Sequence, residues 1–96
     1  MPYLILFEDA PGHDHVRAEK MPDHLAFLDR NAARIQAAGP LFDGDTGAGG
    51  AWLVDVAAPS QAEALVHEDP FWPTGLRKSV RVLRWHQVFA DGKVTG

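Results

Sequence analysis

The chain lacks cysteine altogether, which excludes disulfides and thiolate-bound metal. It also lacks any apolar run long enough to span a membrane. The opening stretch "MPYLILFED" has neither a basic region nor a small-residue cleavage site, so a signal peptide is not expected. No block of like charge occurs: 9 basic and 13 acidic side chains leave a net charge of -4. Nucleic acid is therefore not an expected partner. Repeats are absent, and the one low-complexity stretch is a glycine-rich loop. With 96 residues there is room for one domain, spanning 1–96, and none for a second. Chains of this size bury only roughly 60 to 65% of their unfolded surface. A soluble cytoplasmic protein is expected.

What is present falls into six elements. "YLILFED" (3–9) is apolar on both parities, as in a strand covered on both faces. "APGHDH" reads as a loop and "VRAEK" as a short helical turn. The main helix is expected from Pro22, which suits a first-turn position, to Ala38, with Leu25, Leu28, Ala32 and Ile35 as its buried stripe. Gly39-Pro40 stops it. Residues 40–57 read as strand, glycine-rich tip and strand, with Trp52, Val54 and Val56 on one face. Ser60 and Glu63 form a capping box for a helix from Gln61 to Glu68, which Pro70 ends. "SVRVLRWHQVF" (79–89) is the last strand, and a polar tail follows.

This βαββαβ order predicts an α+β, ferredoxin-like domain with an antiparallel four-stranded sheet of order 4-1-3-2 and two helices on one face. The other face remains apolar. At about 25 cal/mol per Å2, covering several hundred Å2 would favour association strongly. A homodimer through the sheet face is the expected assembly.

The topology brings the start of the first helix, the end of the second and the start of the last strand to one edge. His24, Asp69, Ser79 and Arg17 converge there. Asp69 closes a helix, where the dipole disfavours negative charge. A histidine beside it would offset this, and the carboxylate would orient the imidazole for acid–base chemistry. His24 and Asp69 are thus the candidate catalytic pair. Arg17 and Ser79 are candidates to contact substrate, and Phe71 and Trp72 to wall the pocket. Each has a structural alternative: Asp before Pro starts turns, and a lone histidine is more often solvated. "HDH" (13–15) is better explained as a polar loop than as a metal site. "GDTGAGG" opens no helix, so it is not a phosphate loop. Arg77, Lys78, Arg81 and Arg84 form a small basic cluster with two readings, attraction of an acidic substrate and, more usually, a solvated strand edge; Trp85 reads as a core residue.

The ordered set "MPYLILFED", Arg17, "MPDHLAFL", "AAGPL", "DPF" and "SVRVLRWHQVF" resembles the YciI-like, or YCII-related, proteins over nearly the whole chain. The resemblance implies a ferredoxin-like fold that dimerises into an α/β barrel, with a site centred on His24 and Asp69. It departs at Trp85 and His86, where many relatives carry a "PFKKVF"-like strand. One branch resembles enzymes that eliminate chloride from chlorinated hydroxyquinol rings. Related barrels isomerise lactones or oxygenate aromatics without a cofactor. Two functions are therefore expected in competition: a cofactor-independent lyase or isomerase acting on a small cyclic or enolisable molecule, and a non-catalytic ligand-binding or interaction module.

Overall fold

The computed structural model describes all 96 residues. Its elements are β1 (Pro2–Asp9), α1 (Asp14–Arg30), β2 (Ile35–Asp43), β3 (Thr46–Asp55), α2 (Pro59–Glu68), one 3-10 turn (Trp72–Thr74), β4 (Arg77–Arg84), and a small hairpin of β5 (Phe89–Ala90) and β6 (Lys93–Val94). The four long strands form one antiparallel sheet of order β2-β3-β1-β4. This is the expected order read from the other edge.

Both helices pack on the same face. Tyr3, Ile5 and Phe7 of β1 and Trp52 and Val54 of β3 point towards them. They meet Phe27 of α1 and Ala62, Leu65 and Val66 of α2 in one core. Strand alternation puts Leu4 and Leu6 on the opposite face, where their register partners are Leu53, Leu83, Ala51 and Arg81. No helix of the chain is long and apolar enough to cross a membrane.

The first helix differs from the expectation. It begins eight residues before Pro22, which lies inside it, and it ends at Arg30 rather than Ala38. Asn31 closes it: its backbone N–H bonds Phe27 O at 3.2 Å, and its side-chain Nδ2 bonds the same carbonyl at 2.9 Å. Arg34 and Ile35 then both donate to Asn31 O. Ile35 therefore opens β2 and is buried as a strand residue. The expected stripe is also displaced. Leu25 is 55% exposed, whereas His24, Phe27 and Asn31 are the buried positions. The inner face follows helical spacing, but two of its three buried members are polar, so an apolar pattern misplaces it. Gly39 and Pro40 do not stop the helix. They lie in β2, an edge strand, where a missing N–H is tolerated.

Two smaller corrections follow. The cap of α2 is not Ser60/Glu63; Gln61 Oε1 accepts the N–H groups of Ala57 and Ala58 at 2.7 and 3.2 Å, and Pro59 opens the helix. The last long strand stops at Arg84, and the tail is a hairpin turned by Asp91 (φ 54°) and Gly92 (φ 75°). Trp85 consequently lies outside the core, 43% exposed.

Candidate active site

Asp69 reaches the site because α2 ends there. Pro70 disfavours helical backbone in the residue before it, and Asp69 turns out to φ -66°, ψ 132°. Its carboxylate then folds back. Oδ1 accepts the N–H of Phe71 at 3.2 Å and Nδ1–H of His24 at 2.8 Å. These two donors offset the unfavourable end of the helix dipole. Asp69 is 3% exposed and His24 7%.

His24 sits on the inner face of α1. Its ring stacks on Phe71 at 4.4 Å between centroids and lies 6.1 Å from Trp52. A carboxylate has no proton to give, so Nδ1 carries the hydrogen, and in the neutral ring Nε2 is the nitrogen with the lone pair. Nε2 makes no hydrogen bond within the chain and is not fully enclosed. His24 borders a cleft of about 110 Å3 between α1 and the sheet. Arg17, Met21, Leu25 and Leu28 of α1, Ala38, Gly39 and Pro40 of β2, and Trp52 and Arg77 form its other walls.

Sequence reasoning placed Arg77 only in a basic cluster at a strand edge and missed its burial in the site. Its side chain is only 4% exposed. Nη1 donates to Asp9 Oδ1 at 3.0 Å, while Asp9 Oδ2 accepts from Arg17 Nη2. The guanidinium carbon lies 4.2 Å from the Phe7 ring centroid and 5.2 Å from that of Phe71. Burial pushes this guanidinium below its ordinary value, and the charge of Arg17 pushes the same way. Asp9, by charge and hydrogen bond, and Asp69, by charge, oppose the shift. A register shift explains why the residue was overlooked. Glu8 pairs with Ser79, but Asp9 pairs with Arg77, skipping Lys78. Strict alternation from Val82 and Val80 would send Lys78 inwards. The bulge sends Arg77 instead.

Of the other expected site residues, Phe71 packs on the imidazole and Arg17 borders the cleft. Trp72 does not line it; its ring lies 4.5 Å from that of His67, and it is 38% exposed. Ser79 also lies elsewhere, on the sheet face away from the helices, where its Oγ donates to Glu8 Oε1 at 2.9 Å. His13 and His15 stack on each other at 6.4 Å, and no three His, Asp or Glu side chains come together as a metal-holding group.

A ferredoxin-like α+β domain with a buried imidazole–carboxylate pair, the histidine from α1 and the aspartate from the end of α2, defines the class. The chain belongs to the YCII-related family, whose domain model matches residues 1–86. Among solved structures, it is similar to 5-chloro-2-hydroxyhydroquinone dehydrochlorinase from Burkholderia phenoliruptrix AC1100, in complex with 2,5-dihydroxybenzoquinone. The two share 31% sequence identity and a TM-score of 0.77, over 88% of this chain and 93% of that one. No curated protein matches the chain. The similar structure belongs to a lyase, and its fold and ligand are compatible with a small-molecule enzyme here.

Proposed function

We propose that this protein is a cofactor-independent enzyme of the lyase or isomerase type, acting on a small cyclic or enolisable substrate through His24 and Asp69. The observation that carries the reading is the 2.8 Å bond from His24 Nδ1 to a buried carboxylate, which leaves Nε2 free beside a cleft. In this role Nε2 moves the proton, and Asp69 holds the tautomer and stabilises the imidazolium. Arg17 stabilises the developing oxyanion, and Phe71 holds the imidazole plane.

Elimination of hydrogen chloride from a chlorinated trihydroxybenzene, the reaction type of the similar lyase, suits such a site. Ketonisation moves a hydroxyl proton to the chlorine-bearing carbon. Loss of a second hydroxyl proton then forms a carbonyl, and chloride leaves with its bonding pair. The electrons balance within the substrate, and each step is a proton transfer that one imidazole can serve.

The test is anaerobic chloride release from 5-chloro-2-hydroxyhydroquinone, followed by ion chromatography, with a panel of related enolisable rings. General acid–base catalysis is worth roughly 10²–10⁴-fold, so His24→Ala should lose turnover by about that factor. Absence of any His24-dependent turnover across the panel would reject the reading.

We infer further that the protein works as a homodimer. Leu4, Leu53 and Leu83 lie side by side across three strands on the face that no helix covers, and Leu6 extends the strip. A second copy presenting the same strip would bury it.

A further inference from the structure

The mechanism above gives Arg77 no role, although its burial is costly. A guanidinium has five N–H donors. In Arg77, Nη1 is bonded to Asp9, Nε is fully enclosed without a partner, and Nη2 forms no hydrogen bond within the chain. Burying a charge so incompletely satisfied is unfavourable unless something else completes it. The side chain is also held still, with its guanidinium against Phe7 and Phe71. Its surroundings indicate what would complete it. Two guanidiniums and one imidazole border the cleft, and no carboxylate does. Asp9 lies outside the cleft lining and is shared by both arginines, and the other nearby carboxylate, Asp69, is already bonded to His24 and the Phe71 N–H, so no carboxylate meets the remaining Arg77 donors. The remaining walls carry no charge, and Trp52, Met21 and Leu28 are among them.

We propose that Arg77 is the anchor for an anionic oxygen of the ligand, so that the cleft selects rings already ionised as phenolates or enolates over neutral rings of the same size. The free Nη2 edge donates to that oxygen, and a charge-assisted bond to an anion is stronger than one to a neutral hydroxyl, which supplies the preference. This assignment rests on reading the His24 cleft as the active site, but it concerns binding and not proton transfer. Arg77 thereby holds the ring in place, and Nε2 of His24 acts on a ligand whose charge has already been selected.

The experiment measures binding of two probes by calorimetry. One is 2,5-dihydroxybenzoquinone, a vinylogous acid that is ionised at neutral pH. The other is hydroquinone, which is neutral and of the same ring size. The wild-type protein should bind the anion at least tenfold more tightly. Arg77→Gln should lose that preference while its hydroquinone affinity changes less than twofold, and Arg77→Lys should retain part of it. His24→Ala should keep the preference, because anchoring needs no proton transfer. Chloride release absent with the preference intact would reject the catalytic reading alone. Equal binding of the two probes by the wild type, or an unchanged anion affinity in folded Arg77→Gln, would overturn the anchoring assignment. Circular dichroism checks folding. If neither Arg77 variant folds, the wild type decides. The anion, and not hydroquinone, must shift a buried arginine side-chain N–H resonance, and failure to do so overturns the assignment.

Discussion

A double-mutant cycle on His24 and Asp69 probes the central pair without any knowledge of substrate. His24→Phe keeps a ring against Phe71 but removes both nitrogens. Asp69 Oδ1 then retains only the Phe71 N–H, at 3.2 Å. Asp69→Ala leaves two donors, His24 Nδ1–H and Phe71 N–H, without an acceptor in a site where both residues are less than a tenth exposed. Leaving a buried donor or acceptor unmet costs about 1–3 kcal/mol, and hydrogen bonds to charged groups contribute about 1.5–3 kcal/mol. His24→Phe should therefore cost about 1–3 kcal/mol and Asp69→Ala about 2–5 kcal/mol. The double variant should cost less than the sum by about 1.5–3 kcal/mol, because the loss of the Phe71 bond cancels in the cycle. Urea unfolding at one fixed protein concentration reads these values, since association would otherwise shift the midpoint. At a slope near 1–1.5 kcal/mol/M, at the low end for small proteins, a 2 kcal/mol change moves the midpoint by roughly 1–2 M. A coupling within about 0.5 kcal/mol of zero would mean that the two groups do not hold each other.

Three further outcomes test the frame around the site. Leu65, 1% exposed in the core, should cost about 2–5 kcal/mol as Leu65→Ala, lowering the melting temperature by more than about 10 °C in a domain of this size. A smaller drop, read by calorimetry, would contradict the packing of α2. Gly49 has φ +89°, and a Cβ there would lie 1.9 Å from Phe7 O. Gly49→Ala should destabilise by at least about 1–3 kcal/mol, while Gly47→Ala, with open space around it, should change stability by less than about 0.5 kcal/mol; equal effects in thermal unfolding would refute the contrast. Leu53→Glu should give single copies by sedimentation equilibrium where the wild type gives pairs, with helix content unchanged. A wild type that remains single at high micromolar concentration would refute the pairing.

Much of this architecture could be read from residue patterns alone, and the losses have identifiable causes. Strand alternation held at Trp52, Val54 and Val56, because one face of β3 is buried against helices while the other is not. The expected contact of His24 with Asp69 is present, but its stated reason fails: α1 begins at Asp14, so His24 lies ten residues inside the helix and not at the end that topology brings to the edge. The boundaries of α1 were lost because Asn31 and Arg34 turn the chain through polar contacts that carry no apolar signal. Its face was lost because the buried positions include a histidine and an asparagine. Arg77 was hidden by one skipped residue opposite Asp9, a defect that no period-2 pattern contains. The C-terminal hairpin had a legible cue in Asp91-Gly92, a dipeptide favoured in tight turns, but the strands on either side are only two residues long.

Asp9 grips an arginine from the helix and another from the neighbouring strand with a single carboxylate. This clasp ties the wall of the cleft to its charge. Exchanging either arginine leaves the whole carboxylate to the other, so the charge beside the cleft changes with every such exchange. Changes in ligand preference within this scaffold should therefore arise at Met21, Leu28 or the Gly39-Pro40 edge, which touch the cleft without touching the clasp.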